Sequence, residues 1–284
     1  MKIVSTPLRS MYSGILSAAN TVSHFSMWNP EQYPVYDLFD LVKPDILFID
    51  LKYITGMFLK AHRDYDTKIV LFGQGVPQDL FPNTVVLLPT TSPKLRKNIE
   101  SDQYKTLYID KSANVVDIFD VDTYEVRRDI SYIMTDYERV SYQKQMEIIV
   151  ELISGGNNIG IIGTQKMSFP YYLGRVRTQD IVRFMKEAVV VLDYDANTFL
   201  DAAANGCFCI SSIQNIFYPY YKTQNLQAYS KEDREHIAKS AQTNVLQNET
   251  CYHRLSNIFD SINEQDLSNK CREKVKEICN LALL

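Results

Sequence analysis

Asp201 stands in the segment NTFLDAAANG (197–206), with only small residues between it and Gly206, and the apolar run CFCI follows directly. A carboxylate on a short helix at the edge of a parallel sheet suits a ribose hydroxyl, which needs a fixed acceptor. A second acidic pattern lies just upstream, where Asp193-Tyr-Asp195 follows the apolar run VVVL. Carboxylates at i and i+2 after a strand can both reach Mg²⁺ or Mn²⁺ and a diphosphate. Asp120-Val-Asp122 repeats the spacing but lacks a preceding apolar strand of any length.

Other chemistries find little support. There is no GxxxxGK[ST] phosphate loop, no GxGxxG after the first strand, no HExxH and no GxSxG. Gly73-Gln-Gly75 follows a strand, but Val76-Pro77 cannot open a helix after it, so a tight turn is expected. Four histidines (His24, His62, His236, His253) are too few and too scattered for a histidine metal site. Five cysteines (Cys207, Cys209, Cys251, Cys271, Cys279) lack CxxC spacing, which argues against a disulfide framework or a zinc site. Cys207 and Cys209 alternate on an apolar strand and read as buried small hydrophobes.

The elements that would position these residues alternate strand and helix from end to end. KIVST, DILFIDL, KIVLFG, TVVLLPT and TLYID are strand candidates in the first half. Helices are expected over about 13–23, in PVYDLFDLV up to Pro44, in FLKAHRDY and in SPKLRKNI. The second half restarts with ISYIMTD and a helix in YQKQMEIIVELISGG, where Met146, Ile149, Val150 and Ile153 recur at helical spacing. Residues 159–212 then pack three apolar strands and two helices into one βαβαβ block. Three helices close the chain, over about 231–240, 252–262 and 267–281. The pattern predicts an α/β protein of two Rossmann-like parallel-sheet domains, 1–125 and 126–284, joined by the acidic stretch 117–129.

The bulk numbers agree with a two-domain globular chain. It has 284 residues, 45% hydrophobic and 23% charged. A net charge of −4 gives no global electrostatic reason to bind nucleic acid. The N-terminus lacks an apolar signal core and no run is long enough to span a membrane, so the expected location is cytoplasmic.

The block 159–212 resembles the C-terminal, nucleotide-sugar-binding domain of GT-B glycosyltransferases, and most of all the CgeB-like group. The likeness rests on Ile161-Ile162-Gly163, the turn Leu173-Gly174-Arg175-Val176, the helix from Asp180 to Ala188, the strand Val189–Leu192, the helix from Phe199 to Gly206, and Cys207–Ser212. A later echo, Glu249-Thr250-Cys251-Tyr252-His253-Arg254, looks like the start of the family's closing helix. The resemblance covers about residues 130–263. It implies two domains facing a cleft, with a nucleotide-sugar donor as co-substrate on the second and no essential metal. By this likeness Asp201 stands where the family's glutamate receives the ribose, one methylene shorter. Asn197 and Thr198 fall at the helix start, where free N–H groups favour a diphosphate, or simply cap the helix. Gly163 and Thr164 end a strand at the expected binding edge, and Arg175 and Lys144 are the candidate basic partners of the phosphates.

An inverting reaction would need a base from the first domain. Strand ends there offer Asp50, Asp110 and Thr90-Thr91, with His24 a further option, and Asp50 is the choice. The plain alternative for Asp50 is a cap or turn after its strand, and a retaining reaction would need no such base. Three other readings stay open: a metal-dependent GT-A-like transferase through Asp193 and Asp195, a phage-type DNA base glycosyltransferase using Arg9 and Lys94, Arg96 and Lys97, and a non-catalytic nucleotide- or protein-binding descendant of the fold. The acceptor is unknown among glycans, small molecules and modified nucleic acid.

Overall fold

The computed structural model describes residues 1–8, 12–73, 84–89, 105–109, 112–116, 125, 127–134, 142–163, 171–174, 178–193, 198–211 and 229–282. They fall into two compact units: Met1–Asn114 together with Thr250–Ala282, and Val115–Glu249. No helix is long and apolar enough to cross a membrane among the described residues.

The first unit is built on a six-stranded sheet of β1 (Lys2–Ser5), β2 (His24–Met27), β3 (Ile46–Asp50), β4 (Lys68–Phe72), β5 (Thr84–Pro89) and β6 (Lys105–Ile109), in the order β2-β1-β3-β4-β5-β6. Every pairing is parallel. A parallel sheet is covered on both faces, so its inner strands carry apolar residues at successive positions. All five residues of β3 are buried accordingly. On one face Val4, Leu47, Ile49, Ile69, Leu71 and Val86 pack with Phe39 and Phe58. Phe39 lies in a π-helical turn, Leu38–Val42, that continues the short helix α2 (Val35–Asp37). Phe58 comes from α3 (Gly56–His62). The sequence predicts one regular helix here. Lys43 instead turns into the left-handed region at φ 50°, because Pro44 denies the residue before it the α-helical region. On the other face Tyr12 meets Phe72 edge-on at 4.8 Å, and Phe72 meets Phe48 at 5.6 Å. α1 (Ser13–Val22) buries Ile15, Ala18, Ala19 and Val22.

His62 closes α3 inside this core. It is buried, it lies near the Phe39 and Phe58 rings, and its Nε2–H donates to the Thr67 carbonyl at 3.0 Å. Burial pushes its pKa below the usual value for a histidine. The folded state therefore prefers the neutral ring, whereas the unfolded ring takes a proton near its ordinary value of about 6.5. Its contribution is fully present above that pH and is lost as pH falls towards the folded value. A His62→Gln variant is expected to lose less melting temperature than the parent between pH 7 and pH 5; an equal loss would remove His62 as the cause.

The closing helices belong to this unit. α8 (Cys251–Ser261) and α9 (Gln265–Ala282) pack on each other and on α1. The sequence placed both with the second domain, in 126–284; the physical contacts place them with 1–114. Lys68 and Lys105, which start β4 and β6, donate to the Ile262 and Ser261 carbonyls at 3.0 and 3.1 Å. Cations at the end of a helix satisfy its orphan carbonyls and its dipole. Lys68 also pairs with Glu264. The Thr250 and His253 side chains form a capping box at the start of α8, so that echo is a helix N-terminus of the first unit.

The second unit has a four-stranded parallel sheet of β7 (Arg128–Met134), β8 (Ile159–Gly163), β9 (Ala188–Asp193) and β10 (Cys209–Ser211), in the order β10-β9-β7-β8. The connecting helices are α4 (Tyr142–Ser154), α5 (Thr178–Lys186) and α6 (Thr198–Ala204), with α7 (Lys231–Asn248) packed on α6. α7 runs eight residues further than its sequence pattern suggests, since only Ala238, Ala241, Val245 and Leu246 mark its buried face. Ile130, Ile149, Leu152, Ile159, Val190 and Ile210 form one core cluster. Cys207 and Cys209 are buried in this unit as expected, and burial pushes the Cys207 thiol up to about 12.

Gly160 keeps room for a partly buried ion cluster around Glu187. Arg128 stacks on Phe184 at 4.6 Å and donates to Glu187 at 2.9 Å, and Arg183 reaches the other Glu187 oxygen at 3.0 Å. A Cβ at Gly160 would come within 2.5 Å of Arg128 Nε and 2.8 Å of its Cδ. Gly160→Ala is therefore expected to destabilise the protein by about 1–3 kcal/mol, the cost of overpacking. Urea unfolding of the variant checks this, and an unchanged midpoint would disprove it.

Candidate functional site

Each sheet reverses its strand order once, and ligands of open α/β sheets bind beyond the carboxyl ends of the strands at that reversal. In the second unit the reversal lies between β7 and β9. The register puts Met134 beside Gly163, Ile133 beside Asp193, and Asp193 beside Ser211, so these residues share the carboxyl edge. Gly163 accepts a long hydrogen bond from the Tyr172 hydroxyl at 3.4 Å. Residues 171–174 line the outer side of β8 through a bridge between Ile161 and Tyr172. Gly174 follows at φ 98°, a conformation that L side chains rarely adopt, so glycine is required at the centre of the turn that carries the family likeness.

Asp201 is in the first turn of α6, which enters from the β9 end of the sheet. It is half-buried, and its carbonyl accepts from the Asn205 backbone and side chain at 3.2 and 2.7 Å. Gly206, at φ 69°, ends the helix in the left-handed conformation of a C-terminal cap and returns the chain to β10. Thr198 is the first residue of α6, and Lys144 lies in the first turn of α4, which leaves β7 at this same edge. Thr164, Arg175, Asn197 and Asp195 lie outside the described residues.

In the first unit the reversal lies between β1 and β3, where Asp50 ends β3. Its backbone N–H donates to the Thr6 hydroxyl at 3.0 Å, and its Oδ1 accepts the Lys52 N–H at 3.0 Å, capping the one-turn helix Leu51–Tyr53. Asp50 is only 6% exposed, yet Oδ2 accepts no hydrogen bond from the described residues. Lys52 stands 4.5 Å over the Tyr53 ring. The Tyr53 side chain, with Asp50 and Glu31 further out, holds the Lys52 ammonium above its usual value.

His24 is exposed at the start of β2, beside Lys2, and so stands at the opposite edge from Asp50. Thr90, Thr91, Asp110, Arg9, Lys94, Arg96 and Lys97 lie outside the described residues. Sequence reasoning missed Thr6, Trp28 and Lys52. Thr6 carried a faint signal, as a hydroxyl residue ending the apolar run KIV. Trp28, the single tryptophan, follows β2, and its backbone N–H donates to the Ser5 carbonyl at 2.8 Å. β2 itself is a short edge strand whose inner residues are only half-buried, so no alternation marks it.

No family model and no curated protein matches this sequence. Solved structures do match it. HepE from Anabaena, solved with UDP and glucose, shares 10% identity over 93% of this chain and 99% of its own, with a TM-score of 0.59. The chain has a GT-B-type fold. Two further GT-B proteins align less closely. UDP-GlcNAc 2-epimerase from Neisseria meningitidis, bound to UDP-GlcNAc, shares 10% identity over 98% of this chain and 100% of its own, at a TM-score of 0.48. Sucrose-phosphate synthase from Thermosynechococcus elongatus shares 10% over 100% and 96%, also at 0.48. The two separate parallel sheets of the GT-B type replace the single-domain GT-A alternative as the architecture that carries Asp193.

Proposed function

We propose that this GT-B protein is a glycosyltransferase that takes a sugar from a UDP- or GDP-sugar held by the second unit. The observation that carries the reading is the carboxyl edge of the four-stranded sheet. Gly163 at the end of β8 and Asp193 at the end of β9 lie along that edge on either side of β7, and the helix bearing Asp201 follows β9. Asp201 receives the ribose hydroxyls. Asn197, Thr198, Thr164, Arg175 and Lys144 serve the diphosphate.

The acceptor is received by the first unit. Its hydroxyl gives its proton to Asp50 as the oxygen bonds to the anomeric carbon. The bond from that carbon to the diphosphate oxygen breaks, and the electron pair leaves with the nucleoside diphosphate. Asp50 suits this role because it ends β3 at the strand-order reversal and its Oδ2 accepts nothing from the described residues.

A thermal-shift screen of UDP, GDP and their sugars, with and without Mn²⁺, tests the reading. The expected result is a higher melting temperature with one nucleotide series, independent of Mn²⁺. A shift seen only with Mn²⁺ would favour diphosphate binding through Asp193 and Asp195. No shift with any nucleotide would overturn the donor assignment.

A further inference from the structure

α6 has seven residues, too few to hold a helix in water by their own hydrogen bonds, so its place and angle depend on what grips its ends. The last four carbonyls of any helix lack partners within it. In α6 three of them are met by the chain that follows. The Asp201 carbonyl accepts from the Asn205 backbone at 3.2 Å, Ala202 from Cys207 at 3.0 Å and Ala203 from Gly206 at 2.8 Å. The fourth is met from afar. The Ala204 carbonyl accepts from Gln242 Nε2 at 3.1 Å, and Gln242 belongs to α7, 38 residues further along the chain. A Cβ at Gly206 would stand 3.2–3.3 Å from the same amide, so the left-handed turn that ends α6 keeps the space Gln242 occupies. The neighbouring buried residues of α7 are Ala238, Ala241 and Val245, whose packing is non-directional. The Gln242 hydrogen bond is directional, and it fixes α6 along its axis.

We propose that Gln242 is the positioning residue for Asp201: by holding the carboxyl end of α6 it sets where the Asp201 carboxylate meets the ribose. This rests on the reading above that Asp201 receives the ribose hydroxyls. Asp201 precedes Ala204 by less than one helical turn, so a helix released at Ala204 frays back to the carboxylate itself. Hydrogen bonds weaken steeply away from their line, and a small tilt of α6 is enough to loosen Asp201 from the hydroxyls. The effect of Gln242 passes through Asp201. It therefore acts on the preference for ribose over deoxyribose, and not on the hold on the diphosphate.

Calorimetric titration of the full chain with UDP and 2′-deoxy-UDP, and with the corresponding guanine pair, tests this. The parent is expected to prefer the ribose form by roughly tenfold or more, and Asp201→Ala to lose that preference. Gln242→Leu keeps the bulk and removes the donor, and should cut the preference roughly 2- to 10-fold. Gln242→Glu, of the same shape but without the donor, should do the same. Gln242→Lys supplies a donor again and sets a cation at the helix end, so its preference should return to within about twofold of the parent. In an Asp201→Ala background Gln242→Leu should change UDP affinity by less than about twofold. A Gln242→Leu chain that melts lower yet keeps the parent's preference would make Gln242 a cap alone and overturn the proposal. So would an equal loss of UDP affinity with and without Asp201. An Asp201→Ala chain that binds the nucleotides as the parent does would instead overturn the donor reading, and the proposal with it.

Discussion

Asp50→Asn is expected to lower kcat for sugar transfer by roughly 10²–10⁴-fold, the usual worth of a positioned general base. The amide keeps the acceptor for the Lys52 N–H and the shape of the side chain, so the fold should survive. What it loses is the ability of Oδ2 to take a proton. Donor binding should not change, because Asp50 is in the first unit and the nucleotide is assigned to the second. The measurement is kcat for transfer from the nucleotide sugar that the thermal-shift screen selects, together with UDP affinity in the same variant. An unchanged kcat would remove Asp50 as the base and leave it a cap, the role its bond to Lys52 already shows.

Asp201→Ala acts on the other substrate. Loss of a charge-assisted hydrogen bond to the ribose should weaken UDP or GDP binding by about 1.5–3 kcal/mol. That corresponds to roughly 10- to 150-fold in Kd. Alanine is a good helix former, and Asp201 sits beside three alanines in α6, so the helix itself should hold. Calorimetric titration of the nucleotide checks the prediction. Equal affinity in parent and variant would show that Asp201 does not touch the nucleoside.

How much of this was legible beforehand depends on the range of the interaction involved. The strands β1, β3, β4, β7, β8 and β9 announced themselves as apolar runs, because a doubly covered parallel strand is apolar at successive positions. Gly174 and Gly206 were visible as punctuation, and both adopt positive φ in the structure. β2 was invisible, since an edge strand needs no strong pattern. At Leu38–Val42 the stop before Pro44 was legible, and the π-helical register of the last turn was not.

The sequence by itself determined the alternation of strand and helix, and hence two parallel α/β halves. It also placed Asp201 after β9 and Asp50 at the end of β3, because local apolar periodicity dictates where strands stop. Tertiary structure alone decided three things. Strand order creates the two reversals, and it depends on which strands pair across long stretches of chain. The closing helices α8 and α9 join the first unit because both pack on α1 and because Lys68 and Lys105, far away in sequence, meet the carbonyl end of α8. Finally, the Thr6 hydroxyl after β1 accepts the Asp50 backbone N–H from across the sheet, which fixes Asp50 at the reversal. Each is a contact between distant residues, which no local pattern records.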